Sequence, residues 1–147
     1  MTKTYQGSCH CKAVRFRADI DLARGSDPDL MDGTRRCNCT FCFKARFWKC
    51  FVKPEAFRVL AGEEGMGDYR GRNSSWPEGK IHHRFCSTCG MRPFSRGFLD
   101  QFGGWFVCVN LSALDDAPPE ELAKVPVKFE DGLHDRYDDP PEWTGYL

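Results

Sequence analysis

The chain has 147 residues, enough to bury a core, and we expect one domain spanning residues 1–147. Lys plus Arg and Asp plus Glu both total 21, so the formal charge is zero; this gives no support to nucleic-acid binding, which needs a basic excess on one face. No run nears the roughly 20 consecutive apolar residues that span a bilayer, and residues 1–7 lack the apolar core of a signal peptide, so we expect a soluble, cytoplasmic protein with no membrane partner.

In chain order, the predicted elements are mostly short strands broken by Gly, Pro and acidic turns. Cys9 and Cys11 precede a strand at 13–18, where Val14, Phe16 and Ala18 alternate with Arg15 and Arg17. Residues 20–34 read as a long loop, followed by Cys37, Cys39 and Cys42 as CxCxxC. Residues 46–52 and 105–110, aromatic and β-branched, read as central strands. Shorter candidates lie at 56–60, 81–85 and 127–130, with a second long loop at 62–80. Cys86 and Cys89 then form CxxC followed by Gly90. This is a zinc-knuckle pattern, in which backbone amides point at sulfur and the glycine takes a positive φ. One helix is predicted at 116–124, with Asp115 or Asp116 as cap, prolines in the first turn, and Glu120 and Glu121 at the positive end of the dipole. Residues 131–147, aromatic and proline-rich without periodicity, read either as a cover over the domain or as a homodimer contact. The expected class is all-β, with small antiparallel sheets stapled by zinc and at most one or two short helices.

Seven of the nine cysteines fall into the three clusters. In a reducing compartment such clusters are metal ligands rather than disulfides. The two pairs, Cys9 with Cys11 and Cys86 with Cys89, would fill one closed four-thiolate shell, the natural pairing among those that the spacing leaves open. The triplet leaves the fourth position that a catalytic zinc keeps for water or substrate. The alternative is a second closed site, completed by Cys50, Cys108, His10, His82, His83 or His134. Cys50 and Cys108 lie mid-strand and read instead as core residues. Iron–sulfur spacings do not match, and the HxE and PCxxC of a zinc deaminase are missing. A zinc held by three thiolates is a weak Lewis acid toward water but soft enough for a substrate thiolate, which it keeps deprotonated. The favoured chemistry is therefore formation or cleavage of a bond between carbon and substrate sulfur.

GSCHCKAVRF at 7–16, CNCTFC at 37–42, FCSTCG at 85–90, and the later VNLSALDD and FEDGLHD together resemble the glutathione-dependent formaldehyde-activating enzyme family, whose domain is shared with centromere protein V. The resemblance spans nearly the whole chain. It implies an all-β fold and two zincs per chain, a structural one at Cys9, Cys11, Cys86 and Cys89 and a catalytic one at Cys37, Cys39 and Cys42. It also implies condensation of glutathione with formaldehyde to S-hydroxymethylglutathione, a carbon–sulfur lyase reaction. Thr40 stands where members often carry serine; Phe43 stands where a basic residue is common, with Lys44 one place later. Glutathione has two carboxylates, which makes Arg35, Arg36, Lys44 and Arg46 candidates for holding it through charge-assisted hydrogen bonds. A second reading is a non-catalytic module with two closed structural zincs, whose Phe41, Phe43 and Trp143 meet a protein partner.

Overall fold

A computed structural model describes residues 1–71 and 80–147. Its strands are β1 (Lys3–Ser8), β2 (Arg15–Ile20), β3 (Thr34–Cys37), β4 (Lys49–Val52), β5 (Phe57–Ala61), β6 (Met66–Tyr69), β7 (Ile81–Cys86), β8 (Phe94–Leu99), β9 (Gly104–Asn110) and β10 (Val127–Glu130). Two short helices accompany them, α1 (Thr40–Ala45) and α2 (Pro119–Leu122). The chain is therefore mostly β, as its composition and strand patterns predict. None of the described helices is long and apolar enough to cross a membrane.

Among the described residues the strands form two sheets. A three-stranded antiparallel sheet runs β1-β2-β5, and a seven-stranded sheet runs β10-β3-β4-β9-β8-β7-β6. All pairings in the larger sheet are antiparallel except β10 with β3, which is parallel and sets Glu130 opposite Cys37. Alternation in β2 works as the sequence implies, since Phe16, Ala18 and Ile20 are buried while Arg15, Arg17 and Asp19 are exposed. The small sheet brings Tyr5, Phe16, Ala18 and Phe57 into one core with Cys50, Val52, Phe94, Val107 and Val109 of the large one. Phe47, Phe51, Leu99, Phe106 and Cys108 form a second cluster. Covered on both sides, β4 buries all four of its residues. Cys50 and Cys108 are buried in these clusters, in keeping with the core reading.

Several elements depart from expectation. The strand predicted at 46–52 begins only at Lys49, because α1 runs through Ala45 and ends on Arg46 in the left-handed conformation, φ 51°. Within 62–80, read as a loop, Met66–Tyr69 pairs with β7; residues 72–79 of that reading lie outside the described residues. The helix predicted at 116–124 is only one turn, at Pro119–Leu122, with no side-chain cap. Asp116 instead accepts a hydrogen bond from the Gln6 amide at 2.9 Å and so fastens β1. Strands β1, β3 and β8 are not among the predicted elements, because KTYQGS, TRRC and FSRGFL are short and mixed in character, with no apolar or β-branched run to mark them.

Phe16 is the keystone of the inter-sheet core. Its ring stacks on Phe57 at 5.3 Å, meets Phe94 edge-on at 6.2 Å, and fills the space over Gly7. We expect Phe16→Ala to lower unfolding free energy by about 3–5 kcal/mol, as buried aromatic truncations do. Phe98→Ala, at a position 38% exposed, is expected to cost less than about 1 kcal/mol. Urea denaturation of the two variants checks the contrast.

Candidate metal centres and the open thiol site

The sulfurs of Cys9, Cys11, Cys86 and Cys89 lie within 4.8 Å of one another. Cys9 to Cys11 is 3.6 Å and Cys11 to Cys86 is 3.7 Å. A tetrahedron with zinc–sulfur arms of about 2.3 Å has edges of about 3.8 Å, so this quartet fits a zinc without rearrangement. No disulfide joins any of the nine cysteines. The local backbone explains the convergence. In one knuckle Cys86 ends β7, the Gly90 amide donates to the Cys86 carbonyl at 2.8 Å, and Gly90 takes φ +76°. In the other, the Lys12 amide donates to the Cys9 carbonyl at 3.0 Å, and Lys12 occupies the same left-handed region at φ 62°. Amides of Val14 and Thr88 point at the sulfurs of Cys9 and Cys86, at 3.3 and 3.4 Å. The Cys11 and Met91 amides hold the Cys89 thiol down to about 6, while burial raises Cys9 to about 11.

Cys37, Cys39 and Cys42 make the second group, again with sulfurs within 4.8 Å. Cys37 ends β3, Cys39 caps α1, and Cys42 lies within that helix. The Cys39 amide donates to the Cys37 sulfur at 3.4 Å and the Cys42 amide to the Cys39 sulfur at 3.3 Å. Hydrogen bonds from Cys37 and Cys39 hold the Cys42 thiol well below its usual value, and the charges of Lys49 and Arg92 act in the same direction. Among the described residues no His, Cys, Asp or Glu donor completes this group within the same span. The donor set fits a soft metal with one position free.

None of the fourth-ligand candidates joins the triplet. His134 bonds to Asp131 through Nδ1 at 2.8 Å, and His82 bonds to Asp68 through Nδ1 at 2.7 Å. His82 also lines a cavity of about 430 Å³ with Arg84, Arg96 and Trp105, on the sheet face opposite His83. His83 is half-buried, bonded through Nδ1 to Ser95 Oγ at 3.1 Å and packed on Phe41 with ring centroids 4.3 Å apart. Burial, with Arg92 nearby, pushes it down to about 4, so it is neutral at pH 7.

The four basic candidates separate. Arg35 is buried, its guanidinium paired with Asp32 at 2.8 Å and its Nε 3.5 Å from Glu130. Arg36 lies over the Trp48 ring at 4.8 Å. Lys44 is exposed in the last turn of α1. Arg46 is exposed, sits over Phe43 at 5.1 Å and donates to the Tyr146 carbonyl at 2.5 Å. The 131–147 segment therefore packs on the chain itself beside α1.

Five residues around the triplet carry roles that the sequence does not assign. Lys49, 8% exposed, bonds to Glu130, which is 3% exposed; burial alone would lower the lysine, but Cys42, Glu130 and Cys37 outweigh it and keep it charged. Asp131, 1% exposed, accepts from Asn38 Nδ2 at 2.8 Å, from Arg136 at 2.7 Å, and pairs with His134. Asn38, between two of the triplet cysteines, also accepts the Leu133 amide at 3.0 Å. Gly132 closes this arrangement, for a Cβ there would lie 2.5 Å from the Cys37 sulfur. Arg92 lies 4.2 Å from the Phe41 ring centroid and 4.0 Å from that of Phe47. Gly132 stands in the quoted FEDGLHD stretch and Arg92 two residues beyond FCSTCG, but only packing shows which atoms they meet.

Residues 4–129 match the family model described as glutathione-dependent formaldehyde-activating enzyme. A crystal structure of a Rhodobacter sphaeroides protein, a structural-genomics target, is similar at 27% identity and a TM-score of 0.60, covering 84% of this chain and 99% of that one.

Two outcomes follow from the triplet's surroundings. Gly132→Ala is expected to lower metal content by about one ion per chain, because the new methyl overlaps the Cys37 sulfur while the quartet lies elsewhere; elemental analysis of the purified variant checks it. The Asp131 carboxyl is held down to about 2, chiefly by the Asn38 amide. Its stabilising contribution is therefore complete above the ordinary carboxylate range and is lost as pH falls toward about 2. Asp131→Asn removes it at every pH, so the stability gap between parent and variant should stay constant above about pH 5 and narrow in acid. Denaturant titrations across pH measure that gap.

Proposed function

We propose, for a chain that belongs to the glutathione-dependent formaldehyde-activating enzyme family, that it is a zinc-dependent carbon–sulfur lyase. It joins a glutathione-type thiol to formaldehyde or a similar small carbonyl, or splits such an adduct. The observation that carries this reading is the triplet of sulfurs with no fourth protein donor among the described residues. In this reading Cys9, Cys11, Cys86 and Cys89 hold a structural zinc, and Cys37, Cys39 and Cys42 hold the catalytic one. Zinc bound at the triplet supplies a soft site where a thiol stays deprotonated near neutral pH.

The chain's own groups do the rest. Amides of Cys39 and Cys42 point at the sulfurs of Cys37 and Cys39. Of the three thiols Cys42 is the one held low, by its bonds from Cys37 and Cys39 with the Lys49 charge acting the same way, while Cys37 and Cys39 are raised. Phe41, Tyr69 and His83 stack into an aromatic wall, Phe41 to Tyr69 at 5.4 Å, that limits water beside the triplet. Of the four basic candidates, Arg35 is engaged internally and Arg36, in β3, lies over Trp48, which leaves Lys44 and Arg46 at the end of α1 to meet the thiol's carboxylates. A reducing cytoplasm, rich in thiols, is the compartment this reading assigns.

Cobalt substitution tests the proposal. Addition of millimolar glutathione to the cobalt-loaded protein is expected to change its sulfur-to-metal absorption, and Cys39→Ala is expected to abolish the change. A parent protein whose spectrum ignores glutathione, or one whose second metal has a fourth protein ligand, would favour the closed binding module instead.

A further inference from the structure

Arg92 presents an unexplained charge. Its Nε and Nη1 are buried without a hydrogen-bond partner. No ion pair joins its guanidinium to a carboxylate among the described residues. The ring faces of Phe41 and Phe47, with centroids 4.2 and 4.0 Å from the guanidinium carbon, take the places where water or a counter-ion would sit. Its backbone is fixed, since Asn110 Nδ2 donates to the Arg92 carbonyl at 3.1 Å and the Asn110 amide to the Pro93 carbonyl at 2.9 Å. A residue needed only to fill this space would be aliphatic, because a desolvated cation without a partner costs several kcal/mol. Lys49, the other cation beside the triplet, already has Glu130. The negative groups within reach of Arg92's field are the sulfurs of Cys42, Cys108 and Cys39. Cys108 is buried in the second core cluster, whereas Phe41, the ring on which Arg92 lies, stands in α1 between Cys39 and Cys42, so the triplet is the sulfur group that Arg92 faces.

We propose that Arg92 makes the open position at the triplet selective for an anionic ligand, a thiolate in preference to water or another neutral donor. This rests on the open-site reading above and adds the residue that sets ligand charge there. Arg92 acts through space, since its buried nitrogens make no bond that a ligand would have to break. It is a positioning residue for charge, and each unit of negative charge brought to the triplet gains from it in a region of low effective dielectric.

The test compares cobalt-loaded parent, Arg92→Met and Arg92→Lys by titration with glutathione, azide and imidazole at pH 8, following the visible absorption of the metal. In Arg92→Met, affinity for glutathione and azide is expected to fall about tenfold to a hundredfold, the effect of one charge several ångströms away at an effective dielectric of about 20. Imidazole affinity should be unchanged, which a merely structural role for Arg92 does not predict. Arg92→Lys should keep most of the anion affinity, and it carries the comparison if the Met variant does not load metal. Equal losses for all three ligands, or no loss for the anions, overturn the proposal, as does a parent that binds neither anion. A parent that ignores glutathione yet binds azide in an Arg92-dependent manner upholds the proposal while rejecting the glutathione reading.

Discussion

Three sulfurs within 4.8 Å of one another cannot all be anions unless positive charge and hydrogen-bond donors stand around them. Much of the larger sheet is arranged to meet that requirement. Lys49 occupies a central strand, β4, where a lysine is a costly residue to bury, and it is held there by Glu130. The parallel pairing of β10 with β3 puts Glu130 opposite Cys37, so the counter-ion of Lys49 and the first sulfur of the triplet arrive together. Arg35, next along β3, adds a second cation to the same carboxylate and is itself tied to Asp32. One buried carboxylate thus faces two buried cations. With Arg35 also answered by Asp32, the charge that acts on the sulfurs is that of Lys49, and it acts toward the thiolate at Cys42, the one thiol of the three held low.

The quartet acts on the triplet through the chain that leaves it. Gly90 turns the knuckle, the Cys86 amide bonds back to the Met91 carbonyl at 2.9 Å, and the next residue is Arg92. A metal at Cys9, Cys11, Cys86 and Cys89 would therefore do more than join the N-terminal strand to β7. It would fix the entry of β8, and with it the direction from which Arg92 approaches Phe41 and Phe47. Metal binding free energy counts toward folding, so a staple of this kind suits a chain whose loops supply so much of the site.

The cysteine grouping was legible in the sequence because spacing alone brings sulfurs one or two residues apart onto a common point. The strands of alternating or aromatic character were legible for the same local reason, as with Phe16 and Ala18 in β2. What could not be read was every feature that depends on sequence-distant pairing. Lys49 reads as a polar break in a strand until β10 supplies Glu130. Asp131 and Gly132 read as a turn until Asn38 and Cys37 are found against them. The 46–52 strand was drawn too long because a helix capped by a cysteine sulfur leaves no Ser, Thr, Asp or Asn signal, and the left-handed Arg46 that ends it is not a glycine. Strand β6, with glycine and aspartate among its four residues, has the composition of a turn and is a strand only because β7 pairs with it.

The same non-local contacts fix the histidines that stand nearest the triplet in the sequence-distant segments. A fourth ligand could be drawn from the 131–147 segment, where His134 lies two residues beyond Gly132. Asp131 holds His134 through Nδ1, 2.9 and 2.8 Å from its two oxygens, and takes the Asn38 amide on Oδ1. The segment is thus anchored beside the triplet with its only imidazole turned to a carboxylate. On the other side His83 is kept neutral by burial, its Nδ1 engaged with Ser95 and its ring against Phe41. Both imidazoles are oriented through Nδ1, which leaves Nε2 as the ring nitrogen that could take a metal, and neither joins the sulfur group.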